Sequence, residues 1–242
     1  MREVEQRVRE LLDSDKSGHG FEHVERVRKM AMTLAKKERA NLEVVELGAL
    51  LHDVDDYKLF GMECAKNLTN AREIMNDVGI GREMQGEVLE IVGSMGYSKY
   101  LEGVRPRSLE GKIVSDADML DGIGVVGIIR AFEFDFSKGN GFVFDKNIFP
   151  NSSVDAGEYR KQAAGKRNNF ITHFFEKLLK LDGLMMTESG RKESAGRQKI
   201  MVDFLRQFFV ENDAGEWVEY LDNYLEKMTR VVYYWDMTGG GS

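Results

Sequence analysis

The sequence predicts an all-α protein, a helical bundle with a C-terminal helical extension. Three observations carry this reading. Only two prolines occur in 242 residues. Long stretches place apolar residues at helical spacing, and short glycine-rich or polar breaks separate them. At 42% hydrophobic and 31% charged residues, the chain has the composition of a globular protein with a substantial core. No internal repeat or linker divides it. The expectation is a single helical domain over residues 1–235, with a core over about 17–135, a C-terminal helical part over about 155–235 and a flexible tail over 236–242.

The elements follow in order. Residues 1–13 have helical spacing through Val4, Val8, Leu11 and Leu12. Asp13 to Gly18 reads as a loop. A helix follows over Gly20–Arg39, with Val24, Val27, Met30, Ala31, Leu34 and Ala35 on one stripe. Asn41 is a natural N-cap for the next helix, with Glu43 and Glu46 near its positive end. That helix ends at His52-Asp53. Tyr57–Phe60 reads as a connector. Residues 61–78 and 81–94 are amphipathic, and Gly93 to Arg107 reads as a loop containing Pro106. From Ser108 one helix is expected to run through Gly122 and Gly124 to Phe132. Residues 136–157, with three glycines and Pro150, form the longest irregular stretch. Helices over Glu158–Leu181, 189–212 and 216–235 complete the chain. Phe132, Phe134, Phe136, Phe142 and Phe144 suit core packing better than a base-stacking pocket.

The net charge of −7 and pI near 5.3 give no electrostatic reason to expect nucleic acid as a partner. An anionic substrate would need a local positive centre. Cys64 is the only cysteine, which excludes an intrachain disulfide and a cysteine-rich zinc site; it reads as a small buried residue. No apolar run approaches the roughly 20 residues of a membrane span and no secretory leader is evident, so the expectation is a cytoplasmic protein without a membrane partner.

The chemistry centres on Gly48-Ala-Leu-Leu-His-Asp-Val-Asp-Asp56. A His beside an Asp at the end of an apolar helix offers two ligand types to a divalent metal. Alone, the pair also fits a solvated helix end. Partners are available elsewhere. His23 opens the preceding helix, and sequential helices with a short connection pack antiparallel, which sets His23 beside His52-Asp53. Downstream lies Ser115-Asp116-Ala-Asp118-Met-Leu-Asp121. Asp116 and Asp118 sit about 200° apart on a helix, whereas Asp118 and Asp121 share a face. Acids in so apolar a stretch are costly unless paired or metal-bound. Asp118 is the candidate fourth ligand and Asp121 a candidate supporting residue; helix capping or solvation explains this run equally well.

The pattern His23, His52-Asp53, Asp118 resembles the signature of the HD-domain metal-dependent phosphohydrolases. The likeness is greatest to the small bacterial and archaeal HD hydrolases known as nucleotide phosphohydrolases or pyrophosphohydrolases. It extends over His19–Val27, Leu50–Lys58, Ile113–Arg130, His173–Leu179 and Met186–Ala195. The chain departs from the pattern at Gly20, where many relatives carry Asp, and in the length and Gly/Phe content of residues 136–157.

The resemblance implies an HD-domain helical bundle that holds one divalent metal on His23, His52, Asp53 and Asp118. Two imidazoles and two carboxylates suit Mn, Fe, Co, Zn, Ni or Mg. It implies hydrolysis of a phosphomonoester or phosphoanhydride in a nucleotide or other small phosphate compound, by water activated at the metal. Asp56 takes the place of a catalytic acid or base, with Lys58 beside it. Arg26, His19, His173 and Lys177 are the candidate substrate contacts. For Arg26 and Lys58 a structural ion pair, and for His173 a core position, are the competing readings. A homodimer is compatible with the pattern. A nucleotide sensor without turnover and a helical interaction protein are the alternatives; intact ligands and Asp56 argue against the latter.

Overall fold

A computed structural model describes residues 1–13, 20–137, 139, 144–150, 157 and 169–238, and all regular structure among these residues is helical. The helices are α1 (Arg2–Leu12), α2 (Phe21–Glu38), α3 (Leu42–Leu51), α4 (Tyr57–Asn67), α5 (Thr69–Asp77), α6 (Arg82–Ser94), α7 (Tyr97–Leu101), α8 (Leu109–Asp121) and α9 (Gly124–Ser137). After these come α10 (Thr172–Glu176), two 3₁₀ turns (Leu178–Lys180 and Asp182–Leu184), α11 (Glu188–Glu211) and α12 (Gly215–Thr238). Among the described residues no helix is long and apolar enough to cross a membrane.

The bundle is organised around α3. Asn41 caps it, its side-chain oxygen accepting from the amides of Glu43 and Val44. The helix is apolar on nearly every side, and Val44, Val45, Leu47, Ala49, Leu50 and Leu51 are all buried. A helix of that kind must be covered all round. It packs against α2, α6, α8 and α1. Arg28 of α2 ties this group together through Glu5 of α1 and Glu46 of α3. As a result the first turn of α2, the end of α3 and the last turn of α8 meet at one place.

Two buried acids are structural. Asp55 accepts from the amides of Asn70 and Ala71 and from the half-buried Cys64 thiol, which anchors the start of α5. Asp116, fully buried in α8, accepts from the amides of Met186 and Thr187 and from the Thr187 hydroxyl at 2.6 to 2.8 Å. Burial pushes its pKa up, and these three donors oppose that shift. Thr187 is also the N-cap of α11. One carboxylate therefore fastens the C-terminal helices to the core.

Several boundaries differ from those expected. Tyr57–Phe60 is helical rather than a connector, because Asp56 caps α4 by accepting from the amide of Lys58 at 2.7 Å. Residues 61–78 are not one helix: Leu68 takes a left-handed conformation between α4 and α5. Tyr97–Leu101, expected as loop, forms the short α7. The expected helix from Ser108 through Gly124 breaks after Asp121, and Gly124 has φ +76°, a conformation that glycine alone adopts readily. α9 extends into the expected irregular stretch as far as Ser137.

Of the helix expected over Glu158–Leu181, residues 158–168 lie outside the described residues. The remainder is only α10 and two 3₁₀ turns. The segment 144–150 is irregular and held down: the Trp217 indole donates to the Lys146 carbonyl, and Asn169 donates to the carbonyls of Asp145 and Ile148. Phe144 and Phe149 pack on Trp217, and Phe132 stacks on Phe170, which bears out the core reading for Phe132 and Phe144. Phe136 is exposed, and Phe142 lies outside the described residues. α12 continues to Thr238, past the expected start of the tail.

Gly190, in the first turn of α11, faces Asp116. A Cβ there would collide with the Asp116 carboxylate and stand 2.9 Å from its Cγ and from Thr187 Oγ1. Gly190→Ala should therefore destabilise the protein by about 1–3 kcal/mol. Gly196→Ala, on the same helix with open space around it, should be neutral or stabilising by up to about 1 kcal/mol. Urea denaturation of both variants checks the pair.

Candidate metal centre

Four candidate ligands of two types converge where α2, α3 and α8 meet. His23 stands in the first turn of α2, His52 caps α3, Asp53 follows it, and Asp118 lies in the last turn of α8. The two Nε2 atoms are 3.1 Å apart. Asp53 Oδ2 lies 3.4 Å from His23 Nε2 and 3.6 Å from His52 Nε2. Asp118 Oδ1 lies 3.4 and 3.9 Å from the same two nitrogens. Ligand atoms of His23, His52 and Asp118 all lie within 4.8 Å of one another, and Asp53 adds a fourth candidate ligand.

The surroundings fix both imidazoles. His52 Nδ1 donates to the Ala49 carbonyl at 2.8 Å, inside its own helix end. His23 Nδ1 donates to Asp121 Oδ2 at 2.7 Å. Each ring thus turns its Nε2 lone pair to the common point, as a ligating histidine requires. Asp121 is held by the Arg26 guanidinium, Nε at 2.8 Å and a terminal nitrogen at 3.0 Å, and by Arg130 at 3.0 Å. Burial would raise the Asp121 pKa, but His23 and these arginines hold it well below the usual carboxylate range.

This donor set fits a divalent metal. Bonds of about 2.1 Å place neighbouring ligand atoms about 3.0 Å apart in octahedral geometry and about 3.4 Å apart in tetrahedral geometry. The observed spacings, 3.1 to 3.9 Å, start in that range and extend slightly beyond it. With both Nδ1 atoms engaged elsewhere, the two Nε2 atoms at 3.1 Å share one cation between them, a proton or a metal ion. Electrostatics point the same way. Burial and the nearby Arg130 oppose a positive charge on His23, yet Asp118, Asp121 and Asp53 push its pKa up to about 10. Burial opposes ionisation of Asp118 as well, and the histidines still hold its carboxyl below the usual range.

Two cavities open on the centre and share a wall that includes Asp53, Asp56, Tyr57 and Asp118. One, of about 90 Å³, is closed by apolar side chains of Ala65, Leu68, Val92 and Met95, with Lys99 at its side. The other, of about 110 Å³, is lined by Lys58, Lys177 and Arg130 beside Tyr97. Asp56 and Lys58 thus reach the site, 3.9 Å apart at their charged ends. Lys177 reaches it too, its ammonium 5.5 Å from the Tyr97 ring centroid. Arg26 lines neither cavity and is held on Asp121. His173, on α10, lines neither. His19 lies outside the described residues. Arg130, Lys99 and Tyr97 line the site without having been singled out from sequence.

Asp121→Asn keeps all four candidate ligands but weakens the bond that orients His23. It should lower Mn²⁺ affinity by about 10- to 100-fold, read by calorimetry. Metal must also displace the proton that His23, with its pKa near 10, holds at neutral pH. Apparent Mn²⁺ affinity should therefore rise about tenfold per pH unit between about pH 7 and pH 9, with one proton released per ion bound. A pH-independent affinity would contradict this.

The HD domain family model matches residues 20–123, the span that contains all four candidate ligands. The uncharacterised protein YpgQ of Bacillus subtilis is 34% identical over 201 residues, covering 83% of this chain and 87% of YpgQ. The crystal structure of YpgQ in complex with ADP superposes with a TM-score of 0.63 at 30% identity, over 87% of this chain and 93% of that one. A structure from Lactobacillus plantarum gives a TM-score of 0.77 at 35% identity, over 88% of this chain and 96% of the other. An HD-superfamily hydrolase from Bacillus thuringiensis gives 0.66 at 32% identity, over 88% and 96%. Family match, relatives and helical architecture agree: the chain belongs to the HD-domain superfamily.

Proposed function

We propose that the protein is a metal-dependent phosphohydrolase acting on a nucleotide or other small phosphate compound. The observation that carries this is the junction of the two cavities. Two candidate ligands, Asp53 and Asp118, line both cavities and His52 lines the one closed by apolar side chains, while the other cavity presents Lys58, Lys177 and Arg130. In a chain of net charge −7, these three cations balance Asp53, Asp56 and Asp118 in the same lining, and a divalent ion on the candidate ligands would make it a local positive centre suited to phosphate oxygens. The crystal structure of YpgQ in complex with ADP supports a nucleotide as the ligand class here.

The chain's own groups divide the work. Lys58 and Lys177 bind and orient phosphate oxygens by charge-assisted hydrogen bonds. The apolar lobe receives the organic part of the substrate and excludes water. Asp56 lines both cavities and has one oxygen on the Lys58 amide at 2.7 Å. That bond fixes its carboxyl where it can hold a proton for the departing oxygen or take one from water. A bound divalent ion would supply positive charge to the phosphoryl group and water of lowered pKa.

The test is a panel of nucleoside mono-, di- and triphosphates with Mn²⁺, with phosphate and pyrophosphate measured separately. Hydrolysis of at least one member is expected. His52→Ala should abolish it, and Asp56→Asn should lower kcat by about 10²- to 10⁴-fold. Lys177→Ala should raise KM by about tenfold with little change in kcat. Tight nucleotide binding without release of either product would make the protein a sensor instead.

A further inference from the structure

Arg26 and Arg130 both bind Asp121, yet only Arg130 lines a cavity of the site. Arg26 forms a two-pronged contact from α2, with its side chain 37% exposed, and it lines neither cavity. Arg130 comes from α9, is 14% exposed, and meets Asp121 through a terminal nitrogen at 3.0 Å while lining the cavity that also holds Lys58 and Lys177. The same Asp121 oxygen, Oδ2, accepts from His23 Nδ1. A guanidinium has five N–H donors in a planar fork, enough to serve a carboxylate and a phosphate oxygen together.

We propose that Arg130 is a phosphate-contacting residue that shares Asp121 with His23, so that it positions the substrate and the metal ligand through one carboxylate. This deepens the phosphohydrolase reading and rests on it for the identity of the anion. Lys58 and Lys177 reach the same cavity on flexible stems from α4 and the turn after α10. Arg130 is ion-paired to the carboxylate that orients His23, whereas the Lys58 ammonium lies 3.9 Å from Asp56. Its planar head is therefore pre-organised, and an anion bound by it is set at a fixed position relative to His23.

The experiment compares Arg130→Gln, Arg130→Lys and Arg26→Gln. Inorganic phosphate and Mn²⁺ are the probes, titrated by calorimetry into the full-length protein, and KM and kcat are measured on whichever nucleotide the wild type hydrolyses. Arg130→Gln should weaken phosphate binding by about tenfold or more and raise KM more than it lowers kcat. Arg130→Lys should recover part of that loss, since it restores charge but not the fork. Arg26→Gln should leave phosphate affinity within about twofold of wild type, because Arg26 does not reach the cavity.

Wild-type phosphate affinity in Arg130→Gln would overturn the proposal. So would an equal loss in Arg26→Gln, which would assign the effect to Asp121 alone, and so would a wild-type protein that does not bind phosphate. If Arg130→Gln fails to fold, Arg130→Lys decides, with a loss of phosphate affinity expected and no loss overturning the proposal. Phosphate binding that depends on Arg130 in a protein that hydrolyses nothing would retain this role and reject the hydrolase reading. Turnover with an unchanged KM in Arg130→Gln would do the reverse.

Discussion

The buried contact between His23 and Asp121 is the interaction on which the rest of the centre depends. A carboxylate this deep would be costly without compensation, and removing one partner of such a group typically costs about 3–5 kcal/mol. Asp121 has three partners: the His23 ring and the guanidinium groups of Arg26 and Arg130. Together they keep it ionised, and the ionised form in turn fixes which nitrogen of His23 carries the proton. Nε2 is then left facing His52, Asp53 and Asp118. α8 contributes Asp118 to the centre, Asp121 to its support and Asp116 to the anchoring of α11. Three acids in one apolar helix thus have three different tasks, set by the direction each one faces.

The fold class and the convergence of the four candidate ligands were legible because they follow from local rules. The apolar stripe of α2, the Asn41 cap and the wholly apolar α3 leave few ways to arrange the first helices. Their antiparallel packing brings the start of one to the end of the next. The i, i+3 spacing of Asp118 and Asp121 likewise indicated a shared face, and Asp121 does support His23. Asp116 is different. Nothing near it in sequence reveals its partners at Met186 and Thr187, about 70 residues away, because long-range pairing leaves no periodic trace.

Arg130 shows why the remainder of the site was hidden. On one continuous helix it would lie roughly 180° around from Asp121, nine residues earlier, and face away from it. The break at Gly124 redirects α9 so that Arg130 returns to Asp121. Asp56 was visible as an acid after the His-Asp pair, but not as the cap that starts α4. Arg26 was a candidate phosphate contact, with a structural ion pair as the competing reading. The structure places it on Asp121 in a two-pronged ion pair. In each case the decisive fact is where a helix stops, which composition and periodicity define poorly.

These contacts together give a centre that is rigid on the metal side and varied on the substrate side. Its four candidate ligands come from helix ends packed into the core. The cavities draw on α4, α6, α7 and the turn after α10, elements with more exposed surface. Diffraction at the manganese absorption edge, from crystals soaked in Mn²⁺, tests the central claim most directly. One anomalous peak is expected, about 2.1–2.3 Å from Nε2 of His23 and His52 and from carboxylate oxygens of Asp53 and Asp118. A peak elsewhere, or none at saturating Mn²⁺, would contradict the account.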